Sequence, residues 1–189
     1  TPYYNKPSQE GLYQHFRTVS EHSPLPIILY NIPGRSGVNM TAETTLHIAR
    51  DFDNVIGIKE ASGDIEQMQH IIDSRPDGFL VLSGDDGIAI DLMRRGGDGV
   101  ISVAVNAFPH CFMRALNHAK SGDFDRAEQE FVPLAEAVKA LFTEGNPVGV
   151  KCALSIMGII SDRMRLPLVA GSDALREKFR KLIAEYDLC

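Results

Sequence analysis

Four short apolar runs separated by helical patterns constrain this chain more than any other feature. They are PIILYN (26–31), NVIGIKEA (54–61), GFLVLSGDD (78–86) and DGVISVAVN (98–106), and they recur about every 22–28 residues. Near-continuous apolar runs of this length read as strands of a parallel sheet covered on both sides. The spacing leaves room for one helix between successive strands, so the pattern is a right-handed βα repeat. Helices are expected at about 9–22, at about 42–50 with Thr41 as cap, and at about 64–74, where Asp64 and Gln67 have capping-box spacing. A fourth, at about 87–95, ends at Gly96-Gly97.

After residue 106 the strand-like runs stop and helical patterns take over, at about 108–120, 124–142, 147–159 and 173–186. Pro133 is expected to kink the second of these. Gly145-Asn146-Pro147 is a break, and RLPLVAG (165–171) is a loop. The chain therefore divides into a sheet with its helices over 1–106 and a helical region over 107–189. Four strands make either an open sheet or half of an eight-stranded barrel, whose complete form takes about 250 residues. In the second case Thr1-Pro2-Tyr3-Tyr4 is the tail of a further strand. The runs alone do not choose.

Composition narrows the function classes. The 189 residues are 44% hydrophobic and carry a net charge of -6, with no long basic run. Nucleic acid is not an expected partner. No apolar stretch reaches the roughly 20 residues of a membrane span. Three widely spaced cysteines (Cys111, Cys152 and Cys189) form no CxxC pair, which argues for reduced thiols in a cytoplasmic protein and against structural zinc. The six histidines show no ligand spacing, and no dinucleotide, P-loop or HExxH motif is present, so no metal or redox cofactor is expected.

The strand ends carry the chemistry. In VIGIKEA, period-2 alternation places Val55, Gly57, Lys59 and Ala61 on one face and Ile56, Ile58 and Glu60 on the other. Lys59 is either a lysine reaching solvent at the strand's mouth or an amine desolvated enough to form a Schiff base with a carbonyl. Gly57, one step below, leaves room for its stem. Tyr30 occupies the equivalent place in the preceding run and shares a face with Ile28. It either packs its ring or passes protons to a reacting amine. In IPGRSG (32–37), Arg35 follows a turn, either as a solvated arginine or as a planar fork for a carboxylate. Asp85 and Asp86 in SGDDG either cap the next helix or contribute to a Mg²⁺ site, while Gly84 permits close backbone approach. RRGGDGVIS (94–102) is in outline either a phosphate-binding loop or a helix-to-strand junction.

Four of these stretches together, TPYYNKPSQEG, YNIPGRSG, IGIKEASG and LSGDDG, resemble the 4-hydroxy-tetrahydrodipicolinate synthase (dihydrodipicolinate synthase) family of pyruvate-dependent class I aldolases. The resemblance implies an α/β fold, a partial (β/α)8 TIM barrel running from the end of strand 4 through strand 8, with additional C-terminal helices. On this reading the chain matches the C-terminal two-thirds only of the family. It implies a lyase that condenses pyruvate with L-aspartate 4-semialdehyde, the first committed step of diaminopimelate and lysine biosynthesis. The only covalent helper is the imine of Lys59 itself. Carried over residue by residue, Lys59 resembles the Schiff-base lysine, Tyr30 and Tyr4 the proton-relay tyrosines, and Arg35 the arginine that meets the semialdehyde's carboxylate. Gly84 and Ile101 resemble positions whose backbone lies against pyruvate. Tyr3 resembles an interface residue associated with lysine feedback.

The implied assembly is a homotetramer, a dimer of dimers, in which Tyr4 reaches a neighbour's site. The family's Gly-Thr-Thr-Gly-Glu stretch and its relay threonine have no counterpart in these residues, so the 189-residue chain is expected to be inactive alone. Sibling enzymes, N-acetylneuraminate lyase and the keto-deoxy sugar acid aldolases, share the lysine–tyrosine pair. Arg35 after Pro33-Gly34 favours the synthase. A non-catalytic barrel with an assembly role is the reading outside enzymology.

Overall fold

The computed structural model describes residues 1–186, and Cys189 falls outside that range. The chain packs as two compact units, Thr1–Ile101 and a second that begins at Ser102. The first holds the sheet. Its elements run α1 (Gln9–His22), β1 (Ile27–Asn31), α2 (Pro33–Ser36), α3 (Ala42–Asp51), β2 (Val55–Glu60), α4 (Ile65–Ser74), β3 (Leu80–Ser83), α5 (Ala89–Arg94) and β4 (Gly99–Val100). The four strands are parallel in the order β1-β2-β3-β4. This is the α/β, partial (β/α) barrel arrangement, with helices following the last strand.

Short-range chemistry starts the helices where the sequence predicts. The Ser8 hydroxyl accepts from the Gly11 N–H at 3.2 Å at the head of α1. Thr41 caps α3 through the Thr44 N–H at 3.3 Å, and Asp64 caps α4 through the Gln67 N–H at 3.0 Å. The capping box at α4 is only half closed. The Gln67 side chain turns away from the cap to Glu60, 2.9 Å off, and the Asp64 N–H is held by Ser62 Oγ instead. IPGRSG forms the single-turn helix α2, closed by Gly37 at φ 77°.

One face of the sheet is buried beneath the unit's own helices. Leu29, Val55, Ile58 and Val81 join Leu12, Phe16, Leu46, Ile48 and Ile71 in one core. The other face stays open at 36–41% exposure for Ile28, Tyr30, Ile56 and Ile101. The runs are therefore not covered equally on both sides, as their apolar character suggests. The face assignment in β2 also changes at its start. The register passes from Ile27↔Val55 to Ile28↔Gly57, so β2 has an extra residue, a β-bulge. The bulge sends Val55 into the core and leaves Ile56 exposed, the reverse of simple alternation. From Gly57 on, alternation holds.

The last run departs most. Only Gly99 and Val100 are strand, paired with Leu82 and Ser83, while Ala104–Asn106 is a 3-10 turn in the second unit. The cause is the partner. β3, the strand it pairs with, ends at Ser83, and the Ile101 N–H bonds Ser83 O at 2.9 Å. At the foot of β3 the Asp98 carboxylate accepts from the Val81 N–H and pairs with Arg75, whose guanidinium also bonds the carbonyls of Phe79 and Gly96. RRGGDG is thus a helix-to-strand junction, with Asp98 Oδ2 shared between Arg75 and the Val81 N–H.

The second unit packs α6 (Pro109–Lys120), α7 (Phe124–Phe142), α8 (Val148–Ile156) and α9 (Asp173–Tyr186). α7 continues as one helix past Pro133. Phe112 of α6 is buried edge-on against Phe131 of α7, with ring centroids 6.1 Å apart.

Leu46 lies on α3 and is 3% exposed in the first unit's core. Leu46→Ala is expected to lower stability by about 2–5 kcal/mol. The check is a urea melt, with a lower midpoint at unchanged slope.

Candidate active site

Successive residues of a strand point to opposite faces. At the C-terminal ends of β1 and β2 this places two consecutive pairs in register, Tyr30↔Lys59 on the open face and Asn31↔Glu60 on the covered one. The mouth is held by a repeating link beyond each strand. The Ala61 N–H bonds Asn31 O at 2.8 Å, the Gly84 N–H bonds Glu60 O at 2.7 Å, and the Ile101 N–H bonds Ser83 O at 2.9 Å.

On the open face the Lys59 Nζ sits over the Tyr30 ring, 4.3 Å from its centroid, within cation–π range. A primary amine and a phenol are thereby held together at the end of a parallel sheet, where a carbonyl compound can reach both. That pair can add an amine to a ketone and move the protons this requires. Gly84 completes the group. A Cβ there would lie 2.6 Å from Ala61 Cβ and 3.1 Å from both Lys59 Cε and Glu60 O. The lysine stem thus occupies the space a side chain would need. Gly57 serves a different neighbour than expected, because a Cβ there would meet Leu80 O at 2.8 Å on the adjacent strand.

A second set of the expected residues gathers around the end of α2. Tyr3, Tyr4, Lys6 and Arg35, with the turn Gly34–Gly37, line a cleft of about 630 Å³. It carries two cations and no acid, which suits an anionic ligand. Tyr3 and Tyr4 are each 76% exposed, and their rings lie against one another with centroids 6.2 Å apart. The Asn5 N–H bonds Tyr3 O at 3.1 Å and closes a tight turn around Tyr4, whose φ is 77°. Lys6 also has a positive φ, 45°. Non-glycine residues in this region cost of order 1–3 kcal/mol each and cluster at functional sites. Ile101 stands at the end of β4, 41% exposed.

Of the two aspartates, Asp85 is a cap. Asp85 Oδ1 accepts from the Gly87 N–H at 2.8 Å, and Asp86 is buried at 2% exposure. Among the described residues no group of three or more His, Cys, Asp or Glu could hold a metal ion, and no helix is long and apolar enough to cross a membrane. Cys111 and Cys152 are buried free thiols, and burial pushes the Cys152 thiol above its ordinary range, away from nucleophile chemistry.

Sequence reasoning passed over two residues. Lys6 lies in TPYYNKPSQEG without an assigned role, and its stem crosses Gly37, where a Cβ would meet Lys6 Cε at 3.2 Å. Glu60 reads as the second half of a charged dipeptide. It is instead fully buried, and the signal that could have found it is Asn31, a polar residue at the same place in the neighbouring run.

Comparison with known proteins returns one family. The model of the "Dihydrodipicolinate synthetase family" matches residues 1–186. This corrects the narrower expectation of a match to the C-terminal two-thirds only, since nearly the whole chain is matched. Curated 4-hydroxy-tetrahydrodipicolinate synthases from Parabacteroides distasonis and Phocaeicola vulgatus are 52% and 53% identical over 187 and 184 residues, 99% and 97% of this chain. The chain spans 63% and 62% of their lengths. A crystal structure of dihydrodipicolinate synthase from Thermotoga maritima superposes with TM-score 0.97 at 44% identity, covering 100% of this chain and 65% of that one. A chloride-inhibited dihydrodipicolinate synthase from Acinetobacter baumannii, solved with pyruvate, superposes with TM-score 0.95 at 40% identity, covering 100% and 65%.

Gly84→Ala is expected to push apart the chain just past β2 and β3, because the added Cβ would lie 2.6 Å from Ala61 Cβ, while the Lys59 stem at 3.1 Å needs to give only slightly. A crystal structure of the variant measures this directly, and an unchanged separation of residues 61 and 84 would contradict it.

Proposed function

The chain belongs to the dihydrodipicolinate synthetase family, and on that premise we propose that Lys59 captures pyruvate as an imine in a lyase reaction with L-aspartate 4-semialdehyde, giving 4-hydroxy-tetrahydrodipicolinate. The observation that carries this reading is the Lys59 amine over the Tyr30 ring at paired strand ends. The amine attacks the ketone carbon of pyruvate, and loss of water leaves the imine. The methyl group then gives up a proton, the imine nitrogen takes the electron pair, and an enamine forms. Its terminal carbon adds to the aldehyde carbon of the semialdehyde, and the aldehyde oxygen gains a proton. The substrate's own amino group then attacks the imine carbon, closes the ring and releases the lysine amine. Tyr30 moves the protons at these steps. Neither a metal nor a redox cofactor takes part.

Arg35 and the cationic cleft it lines fit the carboxylate of the semialdehyde. Gly84 and Ile101 offer backbone to pyruvate at the strand ends. Tyr4, exposed on a strained turn, serves as a relay in the site of a second copy, and Tyr3 beside it as an interface residue. The assembly in this reading is a homotetramer, a dimer of dimers, in the cytoplasm, with a place in diaminopimelate and lysine biosynthesis. N-acetylneuraminate lyase and the keto-deoxy sugar acid aldolases would use the same amine on other aldehydes. The arginine-lined cleft favours the synthase.

Two measurements test this. Incubation with pyruvate and borohydride, followed by peptide mapping, is expected to place the reduced adduct on Lys59. An adduct on another lysine would end the assignment. Steady-state assay of the 189-residue chain with both substrates is expected to show turnover far below that of the curated relatives. The reason is that Tyr30 and its neighbours Ile28, Ile56 and Ile101 lie 36–41% exposed, whereas the chemistry needs water excluded. Turnover equal to a relative's would refute this second expectation.

A further inference from the structure

Glu60 is the residue immediately after Lys59, and its partner in the sheet, Asn31, is the residue immediately after Tyr30. Both are 0% exposed. The Glu60 carboxylate accepts four hydrogen bonds, from Asn31 Nδ2 at 3.2 Å and 2.9 Å on its two oxygens, from the Ser62 N–H at 2.7 Å on Oε1, and from Gln67 Nε2 at 2.9 Å on Oε2. Every donor is neutral. A buried charge is costly unless hydrogen bonds compensate it, and a glutamine would fill the same volume without one. What a glutamine lacks is a second acceptor oxygen. Its NH2 group would face Asn31 and either Gln67 or the Ser62 N–H, donor against donor.

The network extends outward. Asn31 Nδ2 also reaches Asn39 Oδ1 at 2.7 Å, and the Met40 N–H bonds Asn31 Oδ1 at 3.0 Å. Asn39 Nδ2 bonds Gln67 Oε1 at 2.8 Å, and Gln9 Nε2 bonds the Asn39 carbonyl at 2.8 Å. One carboxylate thus ties together the ends of β1 and β2, the start of α4, and the segment that follows Arg35. We propose that Glu60 is a positioning residue for the lysine chemistry: by clamping Asn31 and its own strand end from the covered face, it sets where Tyr30 and Lys59 stand on the open one. This rests on the lysine–imine reading above.

The test compares the full 189-residue chain with Glu60→Gln, Gln67→Ala and the core variant Leu46→Ala. The first readout is the rate of borohydride-trapped pyruvate on Lys59 as a function of pyruvate concentration. The second is acylation of Lys59 by a neutral amine reagent, relative to exposed Lys181, by peptide mass. Glu60→Gln is expected to lower the saturating trapping rate at least tenfold, with the half-saturating pyruvate concentration changed less than threefold. It should also alter the Lys59-to-Lys181 labelling ratio at least threefold. Leu46→Ala, despite its loss of stability, should leave both near wild type. Gln67→Ala, which removes one donor, should move them in the same direction as Glu60→Gln by less, and it carries the test if Glu60→Gln does not fold.

Wild-type values in Glu60→Gln, or in Gln67→Ala if that variant carries the test, would overturn the proposal. So would equal slowing in Leu46→Ala, which would make the effect one of general stability. If wild-type chain traps no pyruvate, the imine reading falls. The labelling ratio then decides the positioning role alone, upheld by a threefold change in Glu60→Gln, or in Gln67→Ala where that variant stands in, and overturned by none.

Discussion

The register between β1 and β2 is the constraint on which the rest of the site depends. Opposing Tyr30 to Lys59 and Asn31 to Glu60 makes one hydrogen-bonded ladder serve two purposes. The open face receives an amine and a phenol, and the covered face receives a carboxylate with its amide partner. A slip of one residue would exchange the faces, burying an ammonium among aliphatic side chains and exposing a carboxylate built to accept four bonds. The polar pair on the covered side therefore opposes slippage as strongly as the aliphatic core does.

The two sets of candidate side chains are held in different ways. Lys59, Tyr30 and Gly84 sit on or just past strands, and their positions follow from the sheet. Tyr3, Tyr4, Lys6 and Arg35 sit on turns, two of them with a left-handed backbone. The segment after Arg35 is nevertheless not free. Asn39 and Met40 are bonded to Asn31, and Thr41 and Thr44 bond the Gln9 side chain at 3.1 Å and 2.7 Å. The segment after Arg35 is held by buried amides as well as by Met40, which is fully buried in the apolar core.

Much of this was legible in the residues because much of it is local. Thr41, Asp64 and Asp85 bond N–H groups two or three positions ahead, so their caps could be read directly. Tyr30 and Lys59 were legible as equivalent points of successive repeats. The missed features depend on a partner far along the chain. The bulge at Val55–Ile56 is a matter of how β1 and β2 align. DGVISVAVN looks like a full strand until β3 runs out at Ser83. Gln67 has the spacing of a capping box, but a buried carboxylate is a stronger acceptor for its amide than the cap's backbone is a donor to it. Alternation puts Glu60 on the face opposite Lys59, but its amide partners Asn31 and Gln67 come from other elements of the chain.

The bulge at the start of β2 has a consequence for how the site tolerates change. It lies upstream of Gly57, where the pairing with β1 resumes and carries unbroken to Glu60. Side-chain parity is therefore reset after the entry to the strand and before the functional residues. Insertions or deletions in the turn that leads into β2 can be absorbed there, as a change in one unpaired residue, while the phase of the lysine stays locked to that of the tyrosine. The strand has an irregular entrance and a regular exit, and Lys59 stands at the exit.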